Sequence, residues 1–166
     1  MSEKDKVKEQ KVKWKGIFDF KEIYQFMYRR LNEEGYSVEE QKYQEEVKGD
    51  EKDIEITWVA TKNISDYFKN EIKLSFRILG LKKIEAEKNG KRIKTNEGGF
   101  EVKITGSLVK DYENRWENNP TMKFLRGVYD KYIVEGTINR YKRNIVNDID
   151  DLTENTKAFL TIEGKK

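Results

Sequence analysis

Any chemistry in this sequence has to come from carboxylates, amines and hydroxyls, because its 166 residues include no Cys and no His. Without Cys there is no disulfide framework, no thiolate catalysis and no Cys-built zinc site. Without His the commonest general base, the Ser-His-Asp arrangement and the commonest metal ligand are missing. The densest acidic group is Asp148, Asp150, Asp151 and Glu154. Its oxygens suit Mg²⁺ or Ca²⁺, and Asp150 and Glu154 are neighbours at helical spacing. It lacks the glycine and loop spacing of an EF-hand, so a solvated helix face is the simpler reading. Glu97-Gly98-Gly99 lacks the lysine-threonine pair of a phosphate loop and reads as a turn. Glu45 and Glu46 are adjacent on an extended segment, so they point to opposite faces and do not form a glycosidase pair. The expectation is a non-catalytic protein with no cofactor and no metal.

Three patterns suit binding instead. The first is an apolar set, Ile56, Trp58, Leu74, Phe76, Val102 and Ile104 on a sheet, facing Leu125, Val128 and Tyr132 on a final helix. A space between them would take an apolar or lipid-like small molecule, while a filled core is the plainer reading. The second is Arg140, Lys142 and Arg143 upstream of Asp150, Asp151 and Glu154. Negative charge towards the C-terminal end opposes the helix dipole, and an antiparallel partner, a second copy or another protein, would match it. Arg140, Arg143, Asp150, Asp151 and Glu154 are the residues this reading assigns to a partner. The third is the interleaving of aromatics and cations in Lys13-Trp14-Lys15, Tyr28-Arg29-Arg30 and Arg140-Tyr141-Lys142-Arg143, which suits single-stranded RNA. The apolar ligand is the first choice, a self-assembly or scaffold role the alternative, and RNA binding the second alternative.

The formal charge of +3 resides at the front of the chain. Six Lys between Met1 and Lys15 face Glu3, Asp5 and Glu9, leaving 28 basic against 28 acidic residues in the remainder. This predicts a flexible basic tail over 1–10 on a neutral domain over 11–166, and bulk charge lends a duplex-DNA face little support. No apolar run approaches about 18 residues and no signal-peptide h-region follows Met1, so a cytoplasmic protein without a membrane span is expected.

The elements that must position these residues are legible from periodicity. Val12 and Trp14 alternate with Lys11, Lys13 and Lys15 as in a half-buried strand. Asp19 and Glu22 form a capping box, Phe18 and Ile23 a hydrophobic staple, and Gly35 a stop, which predicts helix 1 over about Phe20 to Glu34. Tyr36 to Lys48 suits a polar edge strand, and Gly49 to Asp53 a turn. Strands follow through Ile54–Ala60 and Ile72–Ile78. Asn89-Gly90 predicts a two-residue hairpin between Lys82–Lys88 and Lys91–Thr95, and the last strand runs through Phe100–Leu108. Asp111 to Trp116 reads as a capped turn, after which Asn119-Pro120 starts a final helix over about 120–160. Such a helix would reach about 60 Å against a domain of about 40 Å, so either it breaks near Gly136, where the apolar register changes, or its far end projects. Leu125, Val128 and Tyr132 should then cover the sheet, and the stripe from Ile138 to Phe159 should fold back or meet a partner. The predicted fold is α+β, a curved antiparallel sheet of about seven strands on a short helix 1 and a long C-terminal helix.

Trp14 to Phe20, Asp111 to Pro120 and Phe124 to Ile133 resemble the corresponding runs of a small, uncharacterised archaeal domain family. The similarity spans nearly the whole chain after the tail; it implies an archaeal, cytosolic source and assigns no activity. In element order the chain also resembles the helix-grip (START-like) fold, in which a seven-stranded sheet wraps a long C-terminal helix and often keeps room for an apolar ligand. It departs in having one early helix instead of two, and a longer final helix.

Overall fold

The computed structural model describes residues 3–65, 67–110, 120–128 and 135–164. Five strands, β1 (Glu3–Phe18), β2 (Ser37–Lys48), β3 (Glu51–Asn63), β4 (Phe68–Lys88) and β5 (Lys91–Lys110), form one antiparallel sheet in the order β1-β5-β4-β3-β2. The helices among the described residues are α1 (Phe20–Glu33), α2 (Pro120–Val128) and α3 (Glu135–Gly164). Because β1 and β2 lie at opposite edges, α1 must carry the chain across the sheet. Its fourteen residues make about 21 Å, and four inter-strand gaps make about 19 Å. The Asp19 carboxylate accepts from the Glu22 amide at 3.0 Å, and Gly35 at φ 92° releases the chain at the other end.

The sheet has five strands where seven were expected, because two of them are long and bent. β4 and β5 run 21 and 20 residues and take in segments read as separate strands. Glu97-Gly98-Gly99 is not a turn: it lies within β5, opposite a bulge in β4 between Leu79 and Lys82. A Cβ on Gly98 would sit 3.0 Å from the Leu81 Cα and 3.1 Å from two β4 carbonyls, so glycine is required by backbone approach. The bulge is answered from β3, where Asp53 drops out of register and its carboxylate accepts the Gly80 amide at 2.9 Å. That bond, with Lys48 beside it, holds the Asp53 carboxyl below its usual range. The expected turn from Gly49 to Asp53 is likewise only Gly49-Asp50, and Glu51 to Asp53 belong to β3.

Residues 3–10, expected as a flexible tail, form the first half of β1, paired to β5 from Glu3–Lys110 onward with one bulge between Lys6 and Lys8. The lysines concealed the strand because Lys4 and Lys6 fall on its open side, whereas Lys8, past the bulge, turns to the side that meets α3.

One face of the sheet is covered by α1 and α3. From α1, Tyr24 lies edge-on to Trp58 at 4.9 Å, and its hydroxyl donates to Glu40 at 2.7 Å. Burial, and then the Glu40 carboxylate, push the Tyr24 hydroxyl up to about 12. Phe26 stacks on Phe159 of α3 at 4.7 Å, joining the two helices. From α3, Ile145, Ile149, Leu152, Thr156 and Leu160 are buried at helical spacing. The stripe expected to fold back or meet a partner thus covers the sheet. The stripe expected to cover it lies largely elsewhere, with Leu125 on α2 45% exposed beside Phe124 at 71%. The expected break near Gly136 falls beside residues 129–134, outside the described residues, and Gly136 itself is in the first turn of α3. The capped turn at Asp111 to Trp116 also lies outside them.

The helix reaches the sheet at one glycine. A Cβ on Gly106 of β5 would lie 2.6 Å from the Ile145 Cγ2, and closer still to the Ile149 Cδ1. Gly106→Ala should therefore lower the unfolding free energy by about 1–3 kcal/mol, as overpacking does. Gly136→Ala, with open space around its Cβ, should raise it by up to about 1 kcal/mol. Denaturant midpoints at constant slope check both; an unchanged Gly106→Ala midpoint would mean that α3 does not seat there.

Candidate functional site

The apolar set from the sheet does come together. Ile56, Trp58, Leu74, Phe76, Val102 and Ile104 share the covered face and are 0–4% exposed. Trp58 lies edge-on to Phe76 at 4.8 Å, and the indole donates to Glu40 at 3.2 Å. The space beside Leu31, Tyr36, Ile72 and Leu152, where α1 and α3 meet the sheet, measures about 10 Å³, scarcely one water. Of their helix counterparts, Leu125 is exposed, Val128 is half-buried on α2, and Tyr132 lies outside the described residues.

The acidic group on α3 divides between structure and solvent. Asp148 accepts from the Tyr36 hydroxyl at 2.8 Å, and Asn70 of β4 donates to the same hydroxyl at 3.4 Å. Burial raises both the Tyr36 hydroxyl and the Asp148 carboxyl; the Asp148 carboxylate adds to the rise at Tyr36, and the Tyr36 bond partly offsets that at Asp148. On the other flank Asp150 meets Lys8 of β1 at 3.1 Å and Gln10 at 3.3 Å, while Lys142 reaches Asp5 at 3.8 Å. The opposite charge expected from an antiparallel partner is thus supplied to Asp150 by this chain's own first strand. Asp151 and Glu154 are exposed, Glu154 with Lys157 at 3.7 Å; Arg143 is exposed, and Arg140 lies over the Tyr141 ring at 5.4 Å. Among the described residues no three such carboxylates converge as a metal ion would need.

The aromatics of the interleaved runs are engaged to different degrees, and Tyr28 stays 43% exposed. Trp14 is half-buried with its indole on the Ile17 carbonyl at 3.2 Å, Tyr28 packs on Trp58 at 5.9 Å, and Tyr141 on Phe68 at 5.4 Å. Their cations are another matter. Alternation sends Lys11, Lys13 and Lys15 to the face of the sheet opposite α1 and α3.

That open face is strongly asymmetric. β1 contributes Lys4, Lys6, Lys11, Lys13 and Lys15, and β4 and β5 add Lys69, Lys73, Arg77, Lys82 and Lys103, ten cations over the stretch the three strands share. On the same three strands the face carries Glu9, Glu71, Glu97 and Glu101, each already in an ion pair: Lys103–Glu9 at 3.5 Å, Lys4–Glu71 at 2.6 Å, Lys82–Glu97 at 3.4 Å and Lys11–Glu101 at 3.3 Å. On β3, Glu55 lies opposite Arg77 and is paired with Lys42 at 2.7 Å. Lys13, Lys15, Lys73 and Arg77 are exposed and have no ion pair among the described residues. Towards one end Ser107 and Val109 are buried, so the accessible part runs from Thr105 to Gly99. There Lys13, Lys15, Arg77, Leu79 and Gly99 line a shallow cleft of about 300 Å³. Many of the acids that balance the chain lie off these three strands, on α3 and on β2 and β3, where Glu39, Glu46 and Glu55 occupy the far side of the same face, and this is how a neutral sequence conceals a basic surface. Sequence reasoning singled out Lys13 and Lys15 but missed Lys73, Arg77 and Lys103; their signal is the alternation Lys73-Ser75-Arg77 and Glu101-Lys103-Thr105, polar where the intervening residues are apolar.

In comparison with known proteins, the chain matches no family model, no curated protein and no solved structure. Its functional reading rests on this geometry. Among the described residues no helix is long and apolar enough to cross a membrane.

The Asp148 carboxyl yields a pH prediction. Its folded pKa lies above the unfolded value, so its contribution to stability is full below the unfolded pKa and is lost as pH rises through the folded one. Asp148→Asn keeps an acceptor for the Tyr36 hydroxyl and stays neutral, so its stability should gain on the parent as pH rises through the carboxylate range. A difference between the two proteins that does not vary with pH, in thermal melts, would contradict this.

Proposed function

We propose that the protein is a non-catalytic module that binds the phosphate backbone of a nucleic acid on the open face of its sheet. The observation that carries the reading is the row Lys13, Lys15, Lys73 and Arg77, without ion pairs among the described residues, on the β1-β5-β4 part of a face whose carboxylates there are already matched. Cations left unpaired on a protein surface hold a diffuse layer of counterions, and a polyanion that replaces them gains the entropy of ions released from its own backbone. The cleft beside them is shallow, and small side chains such as Ser75 and Thr57 lie between the rows, so an extended backbone has access where a compact ligand has little to enclose it. Geometry favours this reading over an apolar ligand because the sheet side chains assigned to that ligand are packed beneath the helices. It also differs from the RNA reading based on aromatic stacking, since it rests on the cations, while the Trp14 indole is held on the Ile17 carbonyl and Tyr141 packs on Phe68.

Four phosphate contacts predict that affinity for a duplex falls with a log–log salt slope of about −3.6, about a hundredfold loss between 50 and 200 mM salt. Replacing Lys13, Lys15 and Arg77 together by Ala should flatten the slope by about 3. Fluorescence anisotropy of a short labelled duplex titrated at several salt concentrations measures it. Binding that is undetectable at low salt, or a slope unchanged in the triple variant, would overturn the proposal.

A further inference from the structure

β4 and β5 run on past the sheet. β4 pairs with β3 as far as Lys82, and β5 pairs with β1 as far as Asn96. Beyond those points the five pairs from Ile84–Thr95 to Lys88–Lys91 have no strand on either side among the described residues. They form a two-stranded arm about 17 Å long. It is closed by Asn89-Gly90, whose φ values of 55° and 77° are those of a tight hairpin turn.

The two sides of the arm differ. Asn96 faces the helices, where its side-chain oxygen accepts the Phe20 amide at 3.1 Å. Alternation from there puts Lys94, Arg92, Glu85 and Glu87 on the helix side. Ile84, Ala86 and Ile93 then continue the open face, with Lys88 and Lys91 at the far end. Arg92 is 81% exposed and meets Glu85 at 3.3 Å, whereas Lys91 and Lys94 have no ion pair among the described residues.

We infer that this arm enters the major groove of duplex DNA while the open face holds the backbone beside it, an inference that rests on the backbone-binding reading above. The B-form major groove, about 12 Å wide and 8.5 Å deep, admits a two-stranded β-ribbon, whose strands are about 4.8 Å apart. The major groove of an RNA duplex is deep and too narrow for one. A single strand would call for aromatic stacking, and the arm from Ile84 to Thr95 has no aromatic residue. The side continuous with the open face suits groove edges: Lys91 matches the paired acceptors of guanine, and Ala86, Ile84 and Ile93 match thymine methyl groups, while Arg92 and Lys94 on the other side are left for the flanking phosphates.

The experiment compares binding of a DNA duplex and an RNA duplex of the same sequence at one salt concentration. It uses the parent protein, the arm variant Lys91→Ala/Arg92→Ala/Lys94→Ala and the face variant Lys13→Ala/Lys15→Ala/Arg77→Ala. The parent should prefer DNA by about tenfold, the scale of one good base contact. The arm variant should lose that preference and keep its RNA affinity, and the face variant should weaken both. The arm substitutions are solvent-exposed, and circular dichroism verifies their fold. Equal affinity of the parent for the two duplexes, or equal loss on both in the arm variant, overturns the arm inference while leaving the face reading intact. A face variant that binds both as the parent does overturns the face reading, and the arm inference with it.

Discussion

Ile149 reaches the backbone of β5 where Gly106 leaves room for it, and the residues on either side of it extend to opposite parts of the sheet. Asp148 takes the hydroxyl of Tyr36, which Asn70 of β4 also contacts; Asp150 takes Lys8 and Gln10 of β1. Consecutive helical residues point about 100° apart, so three in a row can wedge downward in the middle and clasp to both sides. The apolar contact supplies the attraction, since burying a side chain such as isoleucine contributes about 1.5–3 kcal/mol. The flanking polar pairs fix the rotation and position of the helix, because a carboxylate left unpartnered there would carry its desolvation cost. With the helix seated in this way, one face of the sheet becomes core and the other remains open.

That division separates the charges by task. Carboxylates of α3 and lysines on the covered side of β1 are spent on each other. Over β1, β5 and β4 the open side keeps its cations, because the carboxylates among them, Glu9, Glu71, Glu97 and Glu101, are each engaged. Lysines along an exposed edge strand also discourage pairing with another sheet, so part of the basic surface has a structural use whatever binds it. Arg77 and Lys73, on a central strand, lie outside that explanation.

Much of the fold was legible in the sequence. The cap at Asp19, the stop at Gly35, the Asn89-Gly90 turn and the inward stripe of α3 each follow from local stereochemistry. What was misread depends on neighbours that a sequence does not show. Gly98 and Gly99 have the composition of a turn, and only the close approach of β4 makes them part of a strand. Residues 3–10 have the composition of a tail, and only pairing with β5 makes them one. The candidate surface was half legible: the alternation at Lys11, Lys13 and Lys15 was visible, but its continuation through Lys103 and Arg77 requires the strand order β1-β5-β4. The six apolar sheet residues were grouped correctly, while the helix that packs on them was not.

The central claim is that the open face binds and the covered face only supports it. Amide chemical-shift mapping of the isotope-labelled protein, titrated with a short DNA duplex, tests it most directly. The account predicts shifts concentrated at Lys11–Lys15, Lys73–Arg77 and Glu101–Lys103, with the amides of α3 from Ile145 to Leu160 unmoved. Shifts centred on α1 and α3, or none at low salt, would contradict it.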